Sequence, residues 1–302
     1  MIDLHTHTNC SDGDYSPRDL IKLARSRGVK ILSITDHDTV KAYEPDLIKF
    51  AKYNDVKLIP GIELSTVDEL TKQKIHVVGL FIDTKNKELL SLCEDLRRAR
   101  IKMVVKIQEL LLPLGFAVRT KKMIDSGALI TKFHIGHDVV TNPENHQKLI
   151  NVYKKIPLHG TFIEDYLIIG KPAFVKSDES LKTSKAVDVI KKASGVSICA
   201  HPSFNVMRGF EFGLMKNLII RNGFDGVESI NVQYNKSDND KMFDMVKEFS
   251  DFAKEHELLI SGGSDYHSDN IKLWGNHSDI GLANEKYRVS MDVVDRISSA
   301  SS

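Results

Sequence analysis

Asp3-Leu4-His5-Thr6-His7-Thr8-Asn9-Cys10-Ser11-Asp12-Gly13 opens the chain with an apolar run that leads into histidines and a carboxylate. Ile2 to Leu4 reads as a short strand, and it runs straight into two histidines separated by one residue. Side chains alternate faces along a strand, so His5 and His7 project to the same side. Two imidazoles on one face, with the Asp12 carboxylate just beyond, begin a metal pocket. Imidazole suits Zn, Fe, Ni or Mn-type ions, and carboxylate shifts the preference toward harder ones. A lone His-x-His reads equally well as a polar strand end. Four later stretches repeat the signature of an apolar strand followed by a sharp turn carrying His, Asp or Glu.

Working outward, the chain alternates strand and helix. Ser16 and Pro17 read as N-cap and first position of a helix through Leu20, Ile21, Leu23 and Ala24, which Gly28 stops. Lys30 to Ile34 reads as a strand ending in Thr35-Asp36-His37-Asp38, and a helix through Leu47, Ile48 and Ala51 follows. Val56 to Ile59 reads as the next strand, ending in Pro60-Gly61-Ile62-Glu63. Lys74 to Phe81 is another, with His76, Val78 and Leu80 on one face. After Gly170-Lys171-Pro172 the rhythm resumes with a helix from about Ser180 to Ala193. A strand from Val196 to Cys199 ends in Ala200-His201-Pro202. Helices around Phe212 to Arg221 and Asp238 to His256 flank Gly226-Val227-Glu228. The strand Leu258 to Ile260 then ends in Gly262-Gly263-Ser264-Asp265-Tyr266-His267, where the glycine pair predicts close backbone approach. Strand ends that carry the chemistry are the layout of a parallel barrel or doubly wound sheet. The last residues are Ser-rich, with no element predicted.

The stretch from about residue 100 to 171 breaks this rhythm. A long helix from about Glu88 to Leu114 carries Arg97, Arg98 and Arg100. Short helices are predicted around Lys121 to Ser126, Asn145 to Tyr153 and Thr161 to Ile168. The expected organisation is a barrel domain from residues 1–99 and 172–302, with a helical insertion, or cap, at 100–171.

Length and composition bound the rest. The 302 residues are long enough for one large α/β domain with an insertion, and 41% apolar with 27% charged residues is ordinary for a globular chain. A formal net charge of +1 offers no global field for nucleic acid or membrane, so no duplex DNA binding and no membrane partner are expected. Three cysteines without paired spacing argue against a disulfide framework and fit a reducing cytoplasm. The strand at the N-terminus leaves no room for a signal peptide, and no apolar run is long enough for a transmembrane helix.

The candidate metal ligands are His5, His7, Asp12, His37, Glu63, His76, His201, Asp265 and His267. Nine nitrogen and oxygen donors exceed what one tetrahedral ion needs. They suit two or three divalent ions, Mn²⁺, Fe²⁺ or Zn²⁺, with a bridging carboxylate. Such polynuclear sites clamp the attacking and leaving oxygens of a phosphoryl displacement. The expected chemistry is therefore hydrolysis of a phosphate ester, by in-line attack of a hydroxide bridging two ions. Arg97, Arg98, Arg100, Lys132, Lys171 and Arg208 are candidate phosphate-binding cations. His267 and His134 are candidate acids for the leaving alcohol, and Asp3, Asp36 and Asp38 candidate acceptors orienting the imidazoles. His137, His146, His159, His256 and His277 read as surface residues, and Phe204 and Tyr234 either as core or surface packing or as stacking partners for a base.

These motifs, in this order and from end to end of the chain, resemble the polymerase and histidinol phosphatase (PHP) family of metal phosphoesterases. The resemblance rests on Asp3-Leu4-His5-Thr6-His7 with Ser11-Asp12-Gly13, Thr35-Asp36-His37-Asp38, Gly61-Ile62-Glu63, His76, Ala200-His201-Pro202 and Gly263-Ser264-Asp265-Tyr266-His267. It implies a distorted (β/α)7 TIM-like barrel with a trinuclear site. By it, His5, His7, Glu63 and Asp265 would hold one ion, Glu63, His76 and His201 a second, and Asp12, His37 and His267 a third. The helical insertion is similar to that of the nucleotide-phosphatase branch, which implies a substrate such as AMP, a nucleoside 3′,5′-bisphosphate or a short oligonucleotide end. The chain departs from that branch where an Arg-x-His segment reads Lys132-Phe133-His134, where Ile169 precedes Gly170-Lys171-Pro172, and where Ser203-Phe204-Asn205 puts Arg208 later than usual. A histidinol-phosphate or other small-metabolite phosphatase is the alternative, and a non-catalytic metal-binding barrel the alternative of another class.

Overall fold

The computed structural model describes residues 1–175, 180–235, 241–269, 279–281 and 287–301, with backbone alone for 234 and 235. It divides into two compact units, residues 1–93 with 180–302, and residues 94–179.

The first unit is a seven-stranded mixed sheet. Its strands are β1 (Ile2–Asp3), β2 (Ile31–Ile34), β3 (Lys57–Val67), β4 (Lys74–Leu80), β5 (Val196–Cys199), β6 (Gly226–Ile230) and, after a small hairpin of β7 (Gln233–Asn235) and β8 (Lys241–Phe243), β9 (Leu259–Gly262). The sheet order is β1-β2-β3-β4-β5-β6-β9. Its two edges meet. Leu4 N donates to Gly262 O at 3.3 Å, Asp265 N to His5 O at 2.9 Å and His7 N to Tyr266 O at 2.8 Å, around a parallel bridge between Thr6 and Tyr266. The result is a distorted barrel.

Two details differ from a parallel barrel with sites at every strand end. β4 runs antiparallel to both β3 and β5. Only residues 68–73 join β3 to β4, too few for the crossover a parallel pair needs, and Asp68 N bonding Gln73 O at 2.8 Å makes the join a hairpin. β3 also does not stop at Pro60. It pairs with β2 as far as Ile34–Pro60, then changes partner and pairs with β4 from Gly61–Leu80 onward. A Cβ on Gly61 would lie 2.4 Å from Ser33 Oγ, so glycine permits this handover. Glu63 therefore stands inside a long strand.

Helices α1 (Pro17–Ser26) and α2 (Leu47–Tyr53) pack Leu20, Ile21, Ala24, Leu47 and Ala51 into one buried cluster with Leu32, Ile34 and Leu58. Ser16 caps α1 by accepting from Asp19 N at 3.2 Å, with Pro17 at the first position. The predicted helix over 238–256 is shorter: α11 is Val246–Glu255, and Asp244 Oδ1 accepts from Val246 N at 3.1 Å where it begins. The Ser-rich end holds a helix the reading did not anticipate. Met291–Ala300 buries Val294 and Ile297 against Ile2, Leu4 and Ile198.

The second unit is helical. The long helix α3 (Lys87–Leu111) enters it, followed by α4 (Thr120–Asp125), α5 (Lys132–Thr141), α6 (Pro143–Tyr153) and α7 (His159–Tyr166). Its own core joins Val104, Ile107, Phe116, Ile135, Val139, Leu149 and Phe162. No helix among the described residues is long and apolar enough to cross a membrane. The barrel unit continues with α8 (Thr183–Lys192), α9 (Pro202–Met207) and α10 (Phe212–Arg221).

Candidate metal centre

Glu63 is the hub of the centre. It is fully buried, and five imidazoles face its two oxygens. On Oε2 stand His37 Nδ1 at 2.9 Å, His7 Nε2 at 3.3 Å and His5 Nε2 at 3.4 Å. On Oε1 stand His76 Nδ1 at 2.9 Å and His201 Nε2 at 3.0 Å. Asp265 adds a second carboxylate, its Oδ1 lying 3.0 Å from His7 Nε2 and 3.4 Å from His5 Nε2. Asp12 adds a third, facing His267 Nε2 at 3.5 Å, His37 Nε2 at 3.8 Å and His7 Nδ1 at 3.9 Å.

All nine residues predicted as ligands thus lie together in the barrel unit. Three groups present donor atoms within 4.8 Å of one another: His5, His7, Glu63 and Asp265; His7, Asp12, His37 and His267; and His37, Glu63 and His76. His201 stands outside these groups but against Glu63.

The backbone explains the convergence. His37 and Glu63 form a parallel bridge. Gly263 passes so close to β1 that a Cβ there would lie 2.4 Å from His5 Cβ. Asp38, His201 and Asp265 adopt left-handed backbone at φ of 50°, 28° and 54°, conformations that cost energy outside glycine and gather at functional sites.

The donor set fits metal ions on physical grounds. His5 Nε2, both nitrogens of His7, Asp12 Oδ1, His37 Nδ1, Glu63 Oε2 and His201 Nδ1 are buried and make no hydrogen bond. Buried polar atoms are ordinarily bonded. Lone pairs aimed at one another across about 3 Å repel unless a cation lies between them. Metal–nitrogen and metal–oxygen bonds of about 2.0–2.2 Å bring neighbouring donors to about 3.0–3.4 Å, the separations seen around Glu63 and Asp265.

Without metal, protons take up part of that charge. Burial opposes charge on His7, but the facing carboxylates of Asp265 and Glu63 outweigh it and carry its pKa up to about 10. His5 is likewise raised despite burial, by Glu228, Glu63 and Asp265. Glu63 is pulled well below the usual carboxylate range, burial notwithstanding, by His37, His76 and His5. Burial dominates at His76 and lowers it.

Neighbouring residues orient the candidate ligands. His267 Nδ1 lies 2.7 Å from Asp265 O and donates to it, which leaves Nε2 to face Asp12. His5 Nδ1 faces Glu228, a residue missed in the sequence although a glutamate inside an apolar strand was the available signal. Asp3 and Asp36 do not hold imidazoles as anticipated. Asp3 accepts from Ser264 N, Ser264 Oγ, Gly281 N and the backbone N–H of His5, and Asp36 from Thr8 N, Thr8 Oγ1 and Ser11 Oγ, so both brace backbone and hydroxyl groups around the site. Asp38 accepts from Ser65 N at 2.8 Å.

The candidate cations divide between the units. Arg208 stands in the barrel unit, its guanidinium 4.4 Å over the Phe204 ring, and that ring lies edge-on to His201 at 5.9 Å. The helical unit holds the others. Arg97 faces Glu94 at 3.6 Å, and Arg98 pairs with Asp95 and Glu94. Arg100 Nη1 reaches Ile130 O at 3.5 Å, and Lys132 Nζ donates to Leu167 O at 2.6 Å. Lys171 is exposed. His134 Nδ1 accepts from Thr131 N at 3.1 Å. His137 and His256 are exposed and His146 half-buried, but His159 is buried, edge-on to Phe133 at 4.6 Å, because α7 packs it inward. His277 and the Tyr234 side chain lie outside the described residues.

Imidazoles and carboxylates gathered on a barrel of this kind define a class, the metal-dependent phosphoesterases. Within it the chain belongs to the PHP domain family, whose model matches residues 3–273. It is 32% identical over 88% of its length to a 5'-3' exoribonuclease of Haemophilus influenzae, covering 89% of that protein. It is 27% identical over 88% of its length to a 3',5'-nucleoside bisphosphate phosphatase of Chromobacterium violaceum, covering 87% of it. The fold is similar to the crystal structure of a chain from Bifidobacterium adolescentis described as a metal-dependent phosphoesterase. The TM-score is 0.75 at 22% identity, over 100% of this chain and 96% of that one.

Proposed function

We propose that the chain hydrolyses a phosphate ester of a nucleotide or of a short oligonucleotide end, using two or three divalent ions held by His5, His7, Asp12, His37, Glu63, His76, His201, Asp265 and His267. The observation that carries this reading is the convergence of buried, unbonded nitrogens of His5, His7 and His37 on the unbonded Oε2 of Glu63. The relatives support the substrate class, since one is named for a ribonuclease activity and another for a nucleoside bisphosphate.

Divalent ions bound there would supply hydroxide near neutral pH and offset charge on the phosphoryl oxygens. The chain's own residues do the rest. Glu63, shared among five imidazoles, would tie the neighbouring ion positions together. Asp265 and Asp12 complete the negative lining that divalent ions require. His267 commits Nδ1 to a backbone carbonyl and turns Nε2 toward Asp12, so we assign it to ion holding rather than proton transfer. His134 accepts at Nδ1, which puts the proton of its neutral ring on Nε2, and it is our candidate acid for the leaving alcohol. Arg208 is the candidate phosphate ligand of the barrel unit, where a planar guanidinium suits a phosphate better than an ammonium does. Arg97, Arg98, Arg100, Lys132 and Lys171 remain candidates for substrate contact. Three cysteines free of disulfide bonds suit a reducing compartment, and we assign the enzyme to the cytoplasm.

The test is phosphate release from AMP, 3′,5′-bisphosphoadenosine, a short 5′-phosphorylated oligoribonucleotide and histidinol phosphate, with Mn²⁺ or Zn²⁺ supplied. Turnover of a nucleotide or oligonucleotide well above histidinol phosphate is expected. Preference for histidinol phosphate would replace this substrate class with a small metabolite.

A further inference from the structure

Glu228, on β6, is only 3% exposed, and a glutamate is seldom buried so far without paired partners. Its partners come from two distant parts of the chain. Both its oxygens face His5 Nδ1, at 3.0 and 3.1 Å. Oε2 also accepts from the backbone N–H of His201 at 2.7 Å. β6 and β9 slip register between Glu228 and Ile230, an irregularity of the kind that re-aims side chains beside active sites.

We infer that Glu228 is a positioning residue of the metal centre: its carboxylate keeps the proton of His5 on Nδ1, so that Nε2 offers a lone pair beside Glu63 and Asp265, and it fixes the backbone of His201 at the same time. The inference rests on reading the cluster as a metal centre. An ion-binding histidine ordinarily donates its other N–H to an acceptor that sets ring orientation and tautomer, and Glu228 stands where that acceptor belongs. The second bond matters because His201 is a non-glycine residue at φ 28°, ψ 53°. A charge-assisted bond from its N–H offsets the cost of that conformation. One carboxylate therefore serves two of the imidazoles that face Glu63.

Two acceptor oxygens are what the site needs, and this makes Glu228→Gln informative. An amide offers one acceptor and one donor. If its oxygen stays on the His201 N–H, its NH₂ meets His5 Nδ1, which must then accept. The His5 proton moves to Nε2 and points at Glu63 and Asp265, where an ion would bind. The opposite flip sets NH₂ against the His201 N–H, donor against donor.

The experiment strips the full-length chain with chelator, reloads it with Mn²⁺ or Zn²⁺, counts bound ions by elemental analysis and measures affinity by competition with a chromophoric chelator. Glu228→Gln is expected to lose one ion per chain or to bind about 10–100-fold more weakly, while the metal-free variant still unfolds cooperatively, with a Tm lowered by loss of the His5–Glu228 pair. Wild-type stoichiometry and affinity in Glu228→Gln would overturn the inference while leaving the proposed function standing. A wild-type chain that takes up no ion would overturn both. Should Glu228→Gln not fold, ¹⁵N NMR of the histidine rings in the zinc-loaded wild type decides: Nδ1 protonated and Nε2 metal-bound at His5 is expected, and the reverse assignment overturns it.

Discussion

His7 offers both ring nitrogens to the centre and sits against Glu63 and Asp265, so in the metal-free chain it holds a proton far above the ordinary histidine range, up to about pH 10. The folded state binds that proton more tightly than the unfolded chain, whose value is 6.5. The resulting stabilisation is complete below pH 6.5 and is lost as pH rises from there toward about 10. His5 acts in the same direction. In chelator, the Tm should fall across this window, and saturating metal should flatten the dependence, since an ion replaces the proton. Scanning calorimetry at pH 6.5, 8 and 9.5, with and without Zn²⁺, measures this. A metal-free Tm that held steady or rose would show that His7 is not paired as described.

At the scale of elements, the change of partner along β3 is the feature on which Glu63 depends. Pro60 stands opposite Ile34 without an N–H to give the ladder. The hydroxyl of Tyr43 fills in, donating to Ile34 O at 2.6 Å and accepting from Gly61 N at 2.7 Å, with Ile59 O at 3.1 Å. Tyr43→Phe should leave the Gly61 N–H and Ile34 carbonyl without this partner and cost about 1–3 kcal/mol, read as a lowered midpoint in urea unfolding. An unchanged midpoint would mean that water replaces the hydroxyl at no cost. The strand–helix rhythm and the nine candidate ligands were legible in the sequence because all of them but His76 lie in short motifs that carry their own signal. Tyr43 and Glu228 were not, because what they do depends on partners brought near only by folding; Glu228 and His5 stand 223 positions apart. The antiparallel run of β4 was legible in principle, since six residues cannot hold a crossover helix. The Met291–Ala300 helix was hidden by the serines that follow Ile297, although Val294 and Ile297 stand at helical spacing.

For the whole molecule, the division into two units each with its own core has a consequence for mutation. Phe162 is fully buried in the helical unit, edge-on to Phe116 at 5.1 Å and stacked on Tyr166 at 4.6 Å. Phe162→Ala should destabilise that unit by about 3–5 kcal/mol, while the number of ions bound at saturation stays that of the wild type. Elemental analysis alongside thermal unfolding checks both halves of the statement. Loss of ions in this variant would show that the metal centre needs more than the barrel unit's own residues.

Ions on the Glu63 cluster are proposed to carry the reaction. The most direct measurement is phosphate release from 3′,5′-bisphosphoadenosine followed while metal is removed by chelator and then returned, with bound ions counted at each step. Turnover should vanish as the ions leave and return in step with their rebinding, and Glu63→Gln should neither regain the ions nor the turnover. Full turnover by a chain with no bound metal would mean that the reaction does not depend on ions at Glu63.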